Sequence, residues 1–250
     1  MALEVNGLTL QFGGVKALQG VSFTVADGEL SGVIGPNGAG KTTLFNVISG
    51  HYAPDSGSVT LDGRRTSGQP SWKVARAGVA RTFQNPRVFP SLTVTENVLA
   101  GTELEGGSSW FRTSRTGRAR AAEWIEMVGL EDVADTPGGA LSYGHARRLE
   151  IARACARGPR VLLLDEPAAG MNAAECDALM ELVQRINRER GSTVLLIEHN
   201  MRVVCGLCST VHVLNFGEVI ASGPSDTVRD DPAVVEAYLG AEVLADEGAE

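Results

Sequence analysis

The sequence predicts an α/β fold, with two β-rich halves flanking a helical middle. Three observations predict it. Leu30-Ser31-Gly32-Val33-Ile34 reads as a short buried strand, and a glycine-rich turn leads from it into the helical run ending at Ile48. Val161–Leu164 and Thr193–Ile197 are continuous apolar runs of strand length that bracket a helical stretch, Ala173–Arg190. Between about Asn97 and Arg157, helical patterning replaces the β signals.

The elements follow in order. Leu3, Val5, Leu8, Leu10 and Phe12 alternate with polar residues, which predicts a strand over 3–12; Val21–Val25 alternates in the same way. Val59-Thr60-Leu61 reads as a strand ending in an Asp62-Gly63 turn, and Gly78–Phe83 as a further strand. A helix-like segment opens at Val94. Gly106–Gly117 reads as a loop-like insert, and no acid falls between Gly106 and Ala122, where Arg112, Arg115, Arg118 and Arg120 stand with Trp110 and Phe111. Ala119–Val128 patterns as a helix, and after Pro137-Gly138-Gly139 a long helix is expected over His145–Arg157. Val211–Leu214 and Glu218–Ala221 are short strands. Asp231-Pro232 places an N-cap and a first-turn proline at the head of a last helix ending at Gly240, before an acidic, frayed tail over 241–250.

Bulk properties narrow the function. A chain of 250 residues with 43% hydrophobic and 21% charged residues suits a soluble globular protein with a sizeable core. The net charge of −8 argues against general attraction to nucleic acid. No apolar run approaches the roughly 20 residues of a membrane span, and the start carries no signal-peptide pattern, so any membrane role is expected through a partner. Four cysteines imply no disulfide framework; Cys205-Gly-Leu-Cys208 is a lone pair without further ligands, and buried thiols are the expectation.

Two runs carry chemistry. Residues 35–42, Gly-Pro-Asn-Gly-Ala-Gly-Lys-Thr, fit G-x-x-x-x-G-K-[ST]. Gly35, Gly38 and Gly40 allow backbone conformations that turn N–H groups inward as an anion nest, at the N-terminus of a helix. Gly35, Asn37, Gly38, Ala39, Gly40, Lys41, Thr42 and Thr43 are therefore expected on nucleotide phosphates, with Lys41 as a point charge and the Thr42 hydroxyl on Mg²⁺. Val161–Leu164 then delivers Asp165 and Glu166 at a strand's C-terminal end, where open α/β sheets bind ligands. Asp165 is the expected Mg²⁺ partner and Glu166 the group that polarises an attacking water.

Leu141-Ser142-Tyr143-Gly144-His145, directly before the long helix, resembles the L-S-G-G-Q signature of ABC-type ATPases. That resemblance implies a P-loop NTPase (RecA-like) core with an antiparallel β subdomain and an inserted helical subdomain. The expected single domain spans 1–240, with 1–84 and 159–240 as core and 85–158 as the helical part. It also implies roles. Ser142, Gly144 and His145 would contact ATP held by a facing subunit. Gln84 resembles the Q-loop glutamine on Mg²⁺ or water, and His199 the switch histidine that works with Glu166 and Lys41. Phe12, with Val15 beyond it, resembles the adenine-side contact. Tyr143 and His145 depart from the usual Gly and Gln, which leaves open the contact made by the fifth residue.

The runs Asp165–Asn172, Leu195–Met201 and Val235–Gly240 look like the ATPase of branched-chain amino-acid importers, a group that includes urea and amide importers. The resemblance implies ATP and Mg²⁺ and a second ATPase subunit in a homo- or heterodimer. It further implies transmembrane permeases docking near Gln84, Asn85, Pro86 and Val88, and indirectly a periplasmic solute-binding protein. The expected place is the cytoplasmic face of the inner membrane, held there through the permease. A lipid or lipopolysaccharide exporter ATPase and a soluble, non-transport ABC ATPase are the alternatives.

Overall fold

The computed structural model describes residues 2–102 and 115–238. The first half runs β1 (Leu3–Phe12), β2 (Val15–Val25), β3 (Leu30–Ile34), α1 (Lys41–Ile48), β4 (Ser56–Leu61), β5 (Arg64–Arg65), α2 (Ser71–Ala77) and β6 (Val79–Arg81). Three helices follow: α3 (Val94–Thr102), α4 (Arg115–Met127) and α5 (Tyr143–Cys155). The second half holds β7 (Val161–Asp165), α6 (Ala173–Arg190), β8 (Thr193–Ile197), α7 (Met201–Leu207), β9 (Thr210–Asn215), β10 (Glu218–Pro224) and α8 (Ser225–Val228), before α9 over 232–238.

Two sheets result. One is antiparallel, in the order β2-β1-β4-β5. The other is ordered β10-β9-β3-β8-β7-β6, parallel throughout except for the β9–β10 hairpin. Strand alternation splits the apolar residues between two cores. Val161, Leu163, Leu195 and Ile197 face a core shared with α1 and the antiparallel sheet. Leu162, Leu164, Val194 and Leu196 face the opposite core, with α3 through α7. Buried on both sides, β7 and β8 contain little besides Leu, Val and Ile. The helix α1 is therefore clamped between two sheets, and its N-terminus is aimed out over the C-terminal ends of the parallel strands.

Several boundaries differ from the sequence reading. β2 begins at Val15 rather than Val21, because pairing with β1 recruits Val15, Lys16 and Leu18, a stretch without strand-like alternation. β6 ends at Arg81, so Phe83 lies beyond the strand. Residues 115–117 open α4 rather than closing a loop; the rest of the basic insert, with Trp110, Phe111 and Arg112, lies outside the described residues. The long helix starts two residues earlier than expected, at Tyr143. Asp231 accepts the Ala233 N–H at 2.8 Å as expected of an N-cap, while Gly240 and the acidic tail lie outside the described residues. Cys205 is exposed; Cys208 is buried, and burial pushes its thiol up to about 12. Among the described residues no cluster of three or more metal-ligating side chains occurs, and no helix is long and apolar enough to cross a membrane.

Candidate active site

The C-terminal ends of β3 and β7 bring together the two runs singled out above. A cleft of about 590 Å³ is lined by Val15, Asn37, Gly38, Ala39, Gly40, Lys41, Thr42, Thr43 and Glu166. The loop needs its glycines. Gly35 has φ +147°, and a Cβ there would stand 1.9 Å from the Leu214 carbonyl oxygen. At Gly38 φ is +80° over open space. Lys41 is buried, and its Nζ donates to the carbonyls of Gly35 at 2.7 Å and Pro36 at 2.8 Å. Burial pulls its pKa below the usual lysine range, while the Glu166 and Asp165 carboxylates push the other way.

Asp165, at the end of β7, is also buried. Its carboxylate accepts from Arg81 at 2.8 Å, and the same guanidinium donates to Asn46 Oδ1 at 2.7 Å and to Ser49 Oγ at 3.1 Å. Arg81 thus bridges β6, α1 and β7 beneath the loop. The chain turns sharply after Asp165. Glu166 sits at φ +44°, a left-handed conformation rare outside glycine, and its N–H donates to the Ile197 carbonyl at 2.9 Å. Backbone strain of this kind persists where surrounding structure enforces it. Its effect is to lift the Glu166 carboxylate out of the sheet toward the cleft.

Gln84 and His199 converge on that carboxylate. Gln84 Nε2 donates to Glu166 Oε2 at 3.1 Å, and His199 Nδ1 lies 3.9 Å from the same oxygen. The His199 side chain remains 60% exposed, open to a further partner. Glu198 fixes the turn that carries it. Its buried carboxylate accepts from the N–H groups of Ala168 at 2.9 Å, His199 at 3.2 Å and Asn200 at 3.4 Å. Burial raises the Glu198 pKa, against the pull of those N–H groups.

The remaining expected residues lie elsewhere. Phe12 is 45% exposed at the end of β1, edge-on to Tyr52 at 5.2 Å between ring centroids, and does not line the cleft. Ser142, Gly144 and His145 are also outside the cleft lining. Ser142 caps α5, its hydroxyl accepting from the His145 N–H at 3.3 Å. That helix start neighbours the 169–175 segment, where Asn172 and Glu175 form a capping box at the head of α6. One chain therefore presents a phosphate loop and a helix N-terminus in separate places.

Some site residues escaped the sequence reading. Phe216, at φ +44° and 71% exposed, lines the cleft from the β9–β10 turn. Gln19 holds that turn, its Nε2 donating to the Phe216 carbonyl at 2.8 Å. No local pattern signals a contact between residues so far apart in the chain. Arg81 and Glu198 carried a weak signal: each is a charged residue at the end of an apolar run.

Comparison with known proteins bears on this geometry. Residues 18–169 match the ABC transporter family, and residues 218–244 match the branched-chain amino acid ATP-binding cassette transporter family. The chain is 44% identical over 248 residues to the high-affinity branched-chain amino acid transport ATP-binding protein BraF of Pseudomonas aeruginosa, covering 95% of this chain and 97% of that protein. Its fold is similar to the ADP conformation of MJ1267, an ATP-binding cassette of an ABC transporter, with a TM-score of 0.87 and 32% identity over 96% of this chain and 98% of that one. It is also similar to the cassette MJ0796, a dimeric post-hydrolysis state bound to ADP and phosphate. There the TM-score is 0.77 and the identity 27%, over 89% of this chain and 98% of that one.

Proposed function

The chain belongs to the ABC transporter family as one of its ATP-hydrolysing subunits, and from that membership we infer that it powers import of branched-chain amino acids. The observation that carries the mechanism is the convergence of Gln84 and His199 on the Glu166 carboxylate at the mouth of the phosphate-loop cleft.

The loop N–H groups of residues 37–42 hold the β- and γ-phosphates, with Lys41 adding its charge. Thr42, Asp165 and Gln84 offer oxygen donors, the chemistry that suits Mg²⁺, and these residues would hold it. When bound, the ion neutralises charge on the phosphate oxygens. Glu166 accepts a hydrogen bond from the attacking water and orients it in line with the γ-phosphate. Gln84 fixes the Glu166 rotamer from one side. His199 donates to the charge developing on the γ-phosphoryl oxygens from the other. Ser142 and Gly144 of a second ATPase subunit close over the γ-phosphate, because on one chain they lie apart from the loop. His145 stands beside them at the same helix start. Val15, which lines the cleft, forms the adenine side, with Phe12 outside it.

The energy is passed to permease subunits at the membrane, with this chain on the cytoplasmic face, and a solute-binding protein delivers the amino acid. Glu166→Gln tests the chemistry. It is expected to keep ATP binding, lower hydrolysis by at least ~100-fold, and accumulate an ATP-bound dimer on sedimentation. Turnover by that variant at the wild-type rate refutes the role of Glu166.

A further inference from the structure

We propose that Arg147 and Glu150 are positioning residues that tie the backbone of residues 83–87 to α5, so that Gln84 moves with the helix beginning at Ser142. The inference rests on the reading of Gln84 given above. The pair is fully enclosed: the side chains are 0% and 1% exposed, with Arg147 Nη1 2.8 Å from Glu150 Oε2. Ion pairs so buried are costly to place unless every remaining donor and acceptor is engaged. Here all but one are engaged, most of them by the loop, and Arg147 Nε is left buried without a hydrogen-bond partner. Arg147 Nη1 donates to the Phe83 carbonyl at 2.5 Å, and Nη2 donates to the Gln84 carbonyl and, at 3.2 Å, to Tyr143 Oη. Glu150 Oε1 accepts the N–H groups of Phe83 at 3.2 Å and Arg87 at 3.0 Å. One turn further along α5, Arg153 donates to the Arg87 carbonyl.

Residues 83–87 lie past the end of β6, outside any helix or strand. The Phe83 N–H and carbonyl, the Gln84 carbonyl and the Arg87 N–H are instead satisfied by this ion pair, which makes Arg147 and Glu150 the template for the loop's conformation. The guanidinium is suited to this by its rigid planar fork, which reaches two successive carbonyls and a carboxylate at once. The side chain of Gln84 meets Glu166 while its carbonyl is held by Arg147. Arg147 lies in α5 itself, so the path from the hydrolytic carboxylate to the helix capped by Ser142 is two hydrogen bonds long, and the buried ion pair with Glu150 fixes the guanidinium that ends it. A displacement of α5 carries Gln84 toward or away from Glu166, which links the placement of this chain's own Ser142, closing over the facing subunit's ATP, to the readiness of its own site for hydrolysis.

Arg147→Lys keeps the charge and most of the volume and loses the fork, so it is the variant of choice; Arg147→Met with Glu150→Leu removes the pair while leaving an apolar contact. ATP turnover by the full chain is measured for Arg147→Lys, Gln84→Ala and the double variant that combines these two changes. A misplacement of this kind is expected to lower kcat by about 10- to 100-fold, with KM for ATP within about threefold of wild type. The double variant is expected to match Gln84→Ala alone, since both changes act through one group. Multiplied effects, or an unchanged kcat in Arg147→Lys, overturn the proposal. Hydrogen exchange supplies a readout independent of catalysis: Arg147→Lys is expected to lose protection at the Phe83 and Arg87 amides and to retain it in β7 and β8. Retained protection at Phe83 and Arg87 overturns the proposal even where kcat falls. Should Gln84→Ala leave turnover unchanged, the reading of Gln84 fails, and the exchange data alone decide for or against the clamp.

Discussion

Gly35→Ala is the sharpest test of why the phosphate loop has its sequence. The perturbation is one methyl group. At φ +147° it enters a backbone region that side chains rarely adopt, and it would stand 1.9 Å from the Leu214 carbonyl oxygen and 3.3 Å from Ala39 Cβ. Ordinary contact needs more than 3 Å, so the loop or β9 must yield by over an ångström. β9 is not free to yield, because it is paired in register with β3 from Ser31↔Thr210 to Ile34↔Val213. Strain at such a residue is about 1–3 kcal/mol, and displacement of packed backbone adds to it, for an expected loss of about 3 kcal/mol or more. If the loop yields instead, its N–H groups leave the nest, and about 3 kcal/mol corresponds to roughly 100-fold in ATP affinity. Gly38→Ala is the control: at φ +80° with nothing within 4 Å of its Cβ, it carries only the left-handed penalty of about 1–2 kcal/mol. Chemical denaturation and titration with a fluorescent ATP analogue measure both variants. A Gly35→Ala protein within about 1 kcal/mol of wild-type stability, binding ATP within threefold, refutes the reasoning.

Arg81→Met leaves the Asp165 carboxylate buried without its partner, and is expected to cost about 3–5 kcal/mol of unfolding free energy in urea without nucleotide; a loss below 1 kcal/mol contradicts the pairing. Burial beside Phe23 holds the His212 pKa down to about 4 from 6.5, so between those values the folded protein binds fewer protons than the unfolded chain. The stabilisation is full above pH 6.5 and is lost as pH falls toward 4, about 3 kcal/mol in all; urea melts of His212→Gln are expected to lack that share of the acid sensitivity. Asn172→Ala removes the cap bond to the Glu175 N–H at 3.0 Å and is expected to cost about 1 kcal/mol in thermal unfolding, whereas Asn172→Asp keeps it.

What the sequence made legible was local. The phosphate loop must be contiguous because one nest encircles one phosphate group, so its eight residues could be read directly. Asp165 and Glu166 were legible because an apolar strand delivered them at its end. The pairing of His199 with Glu166 was expected through resemblance, which put Gln84 on Mg²⁺ or water; the Gln84 bond to Glu166 could not be read from spacing, because the three residues come from separate strand ends. Residues that hold the site from below were not legible. Arg81 reads as part of a strand, and only the packing of β6 against β7 reveals that it grips Asp165. Arg147 and Glu150 look like an exposed i,i+3 pair on an amphipathic helix, yet both are buried under the 83–87 loop. Phe216 gives no signal at all, since its role depends on a hairpin turn meeting a loop formed some 180 residues earlier, as the contact of Gly217 N–H with the Ala39 carbonyl at 2.9 Å records.

ATP hydrolysis at Glu166 drives import of branched-chain amino acids. Uptake of radiolabelled leucine, isoleucine and valine by cells lacking this chain tests this most directly. Uptake is expected to fall on deletion, to return with the wild-type chain, and not to return with Glu166→Gln expressed at the same level. Uptake unchanged by the deletion, or restored in full by Glu166→Gln, contradicts it.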